Sequence, residues 1–237
     1  TSDLKEKIRR TRTKAKRVWA GLKKSSEEVI SEIFEEALQR DPLNHKEWVV
    51  LVDGDPHQIK KFKKLSKKFE VKLKIICDII HVLGYLWKAG KVLSDEQKLN
   101  LWVSDKLSRI LNGRSSFVAS GIRRSATLKQ LDKAIREPVD SCATYLLNHS
   151  KHLKYNEYLK KGYPIATGVI EGACRHLVKD RMEITGARWS LKGAEAILKL
   201  RAIKISGDFP TYWKFHEHQQ YIRNHRILYQ NPTVLED

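Results

Sequence analysis

The chain has little that would staple or anchor it. Its three cysteines, Cys77, Cys142 and Cys174, are odd in number, far apart and free of any Cys-x-x-Cys pair, which excludes a disulfide framework and a thiolate zinc site. A reducing, cytoplasmic compartment is the expectation. No apolar run approaches the roughly 18 residues that a membrane-spanning helix needs. Residues 1–17 are charged from the start and hold no apolar stretch, so no secretory leader is expected. Acid is scarce as well. Only 28 Asp and Glu face 46 Lys and Arg in 237 residues, for a net charge of +18.

A surface this basic attracts polyanions through counterion release, which makes nucleic acid the leading partner. The excess is clustered in two runs. Residues 5–24 carry ten Lys or Arg, among them Arg9, Arg10 and Arg12, against the single acid Glu6. Residues 60–74 carry eight, including Lys60 and Lys64, against Glu70 alone. Solvated helix faces ordinarily mix the two signs, whereas these runs do not. Neither run has the bulky apolar face with aromatic anchors that an interfacial membrane helix uses.

Hydrophobic spacing gives the outline of the fold. Residues 3–22 read as a basic helix. Ser25 and Glu28 then form a capping box that opens a second helix, which Asp41-Pro42 stops because the residue before proline is pushed out of the helical region. The run Trp48-Val-Val-Leu-Val-Asp53 has the near-continuous β-branched character of a strand buried on both faces, and Gly54 closes it. An amphipathic helix follows over 56–69, and 71–78 repeats the strand pattern. This is a βαβ unit with an expected right-handed crossover. From His81 onward the text is helical, over 81–93, 95–112, 115–124, 127–148, 152–161, 169–182 and 190–206, with a last helix from Pro210. Two parallel strands make too small a sheet to stand alone. Further strands are therefore expected upstream, and a chain that begins at Thr1 without an initiator Met points the same way.

Chemistry is expected where strands end. Asp53 lies at the carboxyl end of a parallel strand, where open α/β sheets place their ligands, although an Asp in a βα turn is also an ordinary cap. Asp78 ends the second strand and His81 follows three residues later. Glu171, Arg175 and Lys179 are spaced i, i+4, i+8 on one helix face, flanked by Gly168 and Gly172, which let a ligand or backbone approach closely. The plain alternative is a surface ion-pair ladder. A strand-borne Asp and a helix-borne Glu in a basic protein suit two-metal phosphoryl transfer, in which carboxylates hold Mg²⁺ ions about 3.5–4 Å apart.

At this point the sequence resembles a known family. Arg17-Val-Trp-Ala20, Arg40-Asp-Pro42, Trp48-Val-Val-Leu-Val-Asp-Gly54, Asp78-Ile-Ile-His-Val82 with Tyr85-Leu-Trp87, the stretch from Ala166 to Met182, and Thr185-Gly-Ala-Arg-Trp-Ser190 resemble the carboxyl-terminal half of bacterial insertion-sequence transposases of the ISKra type, DDE transposases related to the Mutator-like group. The resemblance covers nearly the whole chain. It implies an α/β fold, a ribonuclease-H-like catalytic core that is partial here, with the first strands missing, and is interrupted by a large all-helical insertion. The implied division is a partial core over 1–80, the insertion over 81–162, and carboxyl-terminal helices over 163–237 that carry the catalytic Glu. Asp53 would match the second catalytic Asp and Glu171 the catalytic Glu, both holding Mg²⁺ or Mn²⁺, with Asp78 and His81 as the supporting signature between them. Arg175, Lys179, Lys60, Lys64, Arg9, Arg10 and Arg12 would contact DNA phosphates, and Trp189 would stack on an unpaired base. The implied partners are double-stranded DNA and a second copy of the chain, near the bacterial nucleoid.

The sequence departs from the family in one respect: no first catalytic Asp stands where it is expected. Asp3 falls in the basic helix and Asp41 at a helix stop. Making Asp53 the first and Asp78 the second is disfavoured, because the first strand of that fold leads into a hairpin and Asp53 leads into a helix. A truncated piece of this kind is expected to bind DNA without catalysing alone. A nuclease without strand transfer, or a non-catalytic DNA-binding protein, would carry the same basic surface.

Overall fold

A capping box starts the first helix of the computed structural model, which describes residues 14–168, 172, 174–226. Ser25 Oγ accepts from Glu28 N and the Glu28 carboxylate accepts from Ser25 N at 2.7 Å, a pair of caps that begins α1 (Ser26–Arg40) and contributes about 1 kcal/mol. Strand β1 (Trp48–Val52), helix α2 (Pro56–Lys68) and strand β2 (Leu73–Cys77) follow as the expected βαβ unit. The strands are parallel, in register from Trp48 opposite Leu73 to Val52 opposite Cys77. Helices α3 (Ile79–Leu93), α4 (Leu99–Leu111), α5 (Ser115–Leu128), α6 (Lys133–Asn148) and α7 (Tyr155–Lys160) complete this part of the chain. The described residues are thus mostly helical, with one small two-stranded parallel sheet.

The chain divides into two compact units, Ser25–Ile170 and Thr1–Lys24 with Glu171–Asp237. In the first unit a single apolar cluster runs from Ile30 and Phe34 of α1, through Ile76 and Cys77 of β2, to Cys142 and Leu146 of α6 and Tyr155 of α7. The strands and the helices that follow them therefore share one core. Helix α3 packs chiefly on α6 and α4, and α6 on α5. The outer edge of β2 is closed by side chains rather than by another strand: His152 Nδ1 donates to Ile75 O at 3.1 Å and Tyr155 Oη to Cys77 O at 2.7 Å. No strand pairs with the other edge of β1 among the described residues. Before β1, the buried Asp41 carboxylate accepts from His45 N, Lys46 N and Trp48 Nε1, which fixes the loop that delivers the strand.

In the second unit, helix α8 (Leu191–Ser206) begins at a Ser190 cap and ends at Gly207, whose φ of 86° only glycine adopts without strain. Helix α9 (Phe209–Tyr221) follows. Earlier in this unit, Arg175–Lys179 form a π turn that runs into Asp180–Met182.

Several helical expectations are corrected. The basic helix expected over 3–22 is not present over 16–21, which are irregular, and 1–13 lie outside the described residues. The main chain there is engaged by α8 instead, with Val18 N donating to Ser206 Oγ at 3.1 Å and Leu22 N to Glu195 Oε2 at 2.6 Å. The expected helix 127–148 is two pieces. Helix α5 runs on to Leu128, and Gln130, at φ 50°, turns the chain before α6. The expected helix 95–112 begins as a 3-10 turn, Glu96–Lys98, before α4.

Candidate functional site

The carboxyl end of β1 opens into a cavity of about 640 Å³, bounded by the turn after the strand, the first turns of α3 and the length of α6. Gly54 makes the turn. Its φ is 101°, and a Cβ there would lie 2.7 Å from Tyr145 Cε2 and 2.8 Å from Tyr145 Oη. Conformation and space thus both require glycine. Tyr145 Oη donates to Asp53 O at 2.8 Å, and the His149 ring lies between two carbonyls, Nε2 at 2.8 Å from Gly54 O and Nδ1 at 2.9 Å from Tyr145 O, its tautomer deciding which receives the N–H. Tyr145 of α6 and His149, which caps its end, therefore contact the backbone that carries Asp53. The rings form a continuous layer: Tyr85 stacks on Tyr145 at 4.5 Å, Tyr145 packs at a tilt against His149 at 4.4 Å, and His81 meets Tyr85 at 5.5 Å and Tyr145 at 5.8 Å. Burial, the largest influence, pushes the Tyr145 hydroxyl well above its ordinary pKa, so it serves as a neutral donor.

Four carboxylates line this cavity, and their commitments differ. Asp55 caps α2 by accepting from His57 N at 2.9 Å. Glu137 accepts from Ser141 Oγ at 2.6 Å, and Asp140 pairs with Arg136 at 2.8 Å. Asp53 is exposed and, among the described residues, accepts only from Asp55 N, at 2.9 Å through Oδ1. Its other oxygen has no hydrogen-bond partner among the described residues. Asp53 is accordingly the carboxylate best able to take a cation or a ligand donor.

Asp78 is differently placed. It is buried, its N–H donates to Val52 O at 2.8 Å, and its carboxylate caps α3 by accepting from Ile80 N at 3.0 Å. The same carboxylate accepts from Thr167 N at 3.3 Å and from Thr167 Oγ1, while Ile79 N donates to Ile165 O at 2.9 Å. Asp78 is thus a clamp that ties residues 165–167 to the carboxyl ends of both strands. Its oxygens are consumed by that role. His81 is exposed at the cavity, in the first turn of α3.

Glu171, Arg9, Arg10 and Arg12 lie outside the described residues. Lys60 is exposed on α2, and Lys64 is held by Glu27 at 2.7 Å, whose carboxyl this hydrogen bond lowers below its ordinary range. Arg175 and Lys179 line an open hollow of about 720 Å³ together with Asp180 and Glu183. They sit on a π turn, so the four-residue α-helical ladder does not describe their spacing. Trp189 is half-buried with the Arg181 guanidinium 5.2 Å above its ring, which occupies one face, and its indole N–H is buried with no partner among the described residues.

Tyr145 and His149 were not legible as site residues. They are 92 and 95 residues from the backbone they hold, and on α6 they read as part of an apolar stripe. The one available signal is that Tyr145 with His149, like His81 with Tyr85, is an aromatic pair at i, i+4.

No group of three or more His, Cys, Asp or Glu able to hold a metal ion occurs among the described residues, and no helix of those residues is long and apolar enough to cross a membrane. No protein-family model, curated protein or solved structure matches the chain.

Proposed function

We propose that this chain is the carboxyl-terminal part of a DDE transposase catalytic region, which cleaves DNA and joins it at insertion-sequence ends. The observation that carries this reading is the clamp at Asp78. It ties Thr167, four residues before Glu171, to the strand ends that present Asp53 and Asp78. The tether holds residues 165–167, distant in sequence, against the end of β2, which supports this reading. In this reading β1 and β2 are two adjacent strands of a ribonuclease-H-like sheet, and further strands add along the edge of β1 that has no partner among the described residues.

The uncommitted oxygen of Asp53 fits a divalent cation, and Glu171 is the residue proposed to share it. A bound Mg²⁺ pair would supply activation of the attacking oxygen and stabilisation of the leaving one. Asp78 does not ligate; it positions. Tyr145 and His149 hold the Asp53 backbone rigid, and the basic surface holds DNA by its phosphates. A nuclease without strand transfer would use the same carboxylates, and joined products on a plasmid target separate the two.

The reading is tested by Mn²⁺ titration of the protein followed by electron paramagnetic resonance. Binding is expected to weaken at least about tenfold in Asp53→Asn and in Glu171→Gln, the loss typical of removing a metal-site group. Wild-type affinity in both variants would overturn the metal site.

A further inference from the structure

A second recess, of about 520 Å³, lies in the same unit at the outer edge of β2. Its walls come from four places in the chain: Lys63 from α2, Lys74 from β2, Lys151 from the turn Ser150–His152, and Lys154 just ahead of α7. Glu157 is its sole acid and is engaged by Lys154 at 3.2 Å. Lys63, Lys74 and Lys151 are exposed and form no ion pair among the described residues. Like charges converging from separate elements repel one another, so this arrangement costs stability unless an anion sits among them. His152 anchors the convergence. Its Nδ1–H is donated to Ile75 O, which fastens the turn bearing Lys151 against the strand bearing Lys74.

We propose that this recess binds the phosphate backbone of double-stranded DNA, at a site separate from the cavity beside Asp53. The identity of the polyanion as DNA rests on the proposed function; the phosphate chemistry rests on the lysines. Ammonium groups act as compact point charges without directional demands, which suits a repeating backbone better than one shaped small molecule. A concave recess also suits a phosphate chain better than the flat surface of a lipid bilayer. The site lies on the α2 face bearing Lys63, whereas Lys64 is spent on Glu27.

The half-buried imidazole gives an internal reporter. Burial chiefly, with Lys63, His149 and Lys151 adding repulsion, holds His152 below its ordinary pKa, against the opposing hydrogen bond to Ile75. A phosphate among the lysines offsets that repulsion and raises the titration midpoint.

The test is binding of a labelled duplex to the whole chain between about 50 and 200 mM salt, with the His152 ring followed by NMR. Lys74→Ala with Lys151→Ala is expected to weaken binding and to reduce the slope of log K against log salt by about 1.8, at about 0.9 for each phosphate no longer neutralised. Lys91→Ala with Lys98→Ala, a pair of exposed lysines outside the recess, is expected to leave the slope unchanged. Duplex added to the wild type is expected to raise the His152 midpoint. The proposal is overturned if both double variants behave alike, if His152 does not respond to saturating duplex, or if phosphatidylserine vesicles rather than DNA show the Lys74 and Lys151 dependence. Mn²⁺ binding separates the two readings. A normal Mn²⁺ response to Asp53→Asn with an unchanged salt slope removes this recess alone, while loss of both Mn²⁺ and DNA binding removes the transposase reading too.

Discussion

Replacing Gly54 by alanine probes the turn that presents Asp53. At φ 101° an L-residue meets its own carbonyl, which costs about 1–2 kcal/mol. The new methyl would lie 2.7 Å from a ring carbon of Tyr145, a residue that is 7% exposed and packed between Tyr85 and His149. That ring has nowhere to retreat, so overpacking adds about 1–3 kcal/mol. Moving it also breaks the hydrogen bond to Asp53 O, worth about 0.5–1.5 kcal/mol. The sum, about 2.5–6.5 kcal/mol, is a large share of the roughly 5–15 kcal/mol by which domains are stable. Urea unfolding of the wild type, Gly54→Ala, Tyr145→Leu and the double variant measures it. In the Leu background only the backbone cost remains, so the cycle is expected to show about 1.5–4.5 kcal/mol of coupling. A loss below about 1 kcal/mol, or coupling within about 0.5 kcal/mol of zero, would refute the account of this turn.

Three further outcomes are expected. Asp78→Ala removes both a helix cap and the Thr167 tether, so stability is expected to fall by about 1–3 kcal/mol, with hydrogen exchange accelerating at Ile79 and Thr167; unchanged protection at Thr167 would show that the tether is not formed in solution. For Asp41, burial pushes the carboxyl up, but donation from Lys46 N, Trp48 Nε1 and His45 N outweighs it; for Glu195, the Leu22 N–H leads in lowering it. Folded carboxyls below their unfolded values stabilise fully above about pH 4–5 and lose that contribution as pH falls through the folded values, so the urea midpoint should drop from pH 6 to pH 3, and Asp41→Asn should drop less. Native protein should expose one fast thiol, Cys174, to a disulfide reagent and all three in denaturant, because burial raises Cys77 to about 11 and Cys142 to about 12; three fast thiols in the native protein would contradict the core packing.

Local chemistry made part of the fold legible. The Ser25–Glu28 box, the stop at Asp41-Pro42 and the two β-branched runs on either side of a lysine-rich amphipathic helix each act within a few residues, and each has its expected element. Residues 16–21 went astray because their charge and spacing suit a helix, while Glu195 and Ser206, distant in sequence, bind the backbone instead. Asp41 reads in sequence as a mere stop signal, since the three donors that converge on it depend on the loop it organises. At the site, Asp53 was legible from its place at a strand end. Its supports on α6 were not, because no local pattern records an interaction spanning more than ninety residues. Asp78 and His81, neighbours in one motif, separate into a buried clamp and an exposed ring: Asp78 is the N-cap of α3 and turns its carboxylate to the helix end and Thr167, while His81, the third helical residue, faces the cavity.

The central claim is that Asp53 and Glu171 hold one divalent-metal site, and a crystal structure of the protein grown with Mn²⁺ tests it most directly. The account predicts anomalous density at inner-sphere distance, about 2.1 Å for a small divalent ion, from an oxygen of each carboxylate. Density that touches neither, or two carboxylates on opposite sides of the fold, would contradict it and leave a basic protein without a catalytic centre.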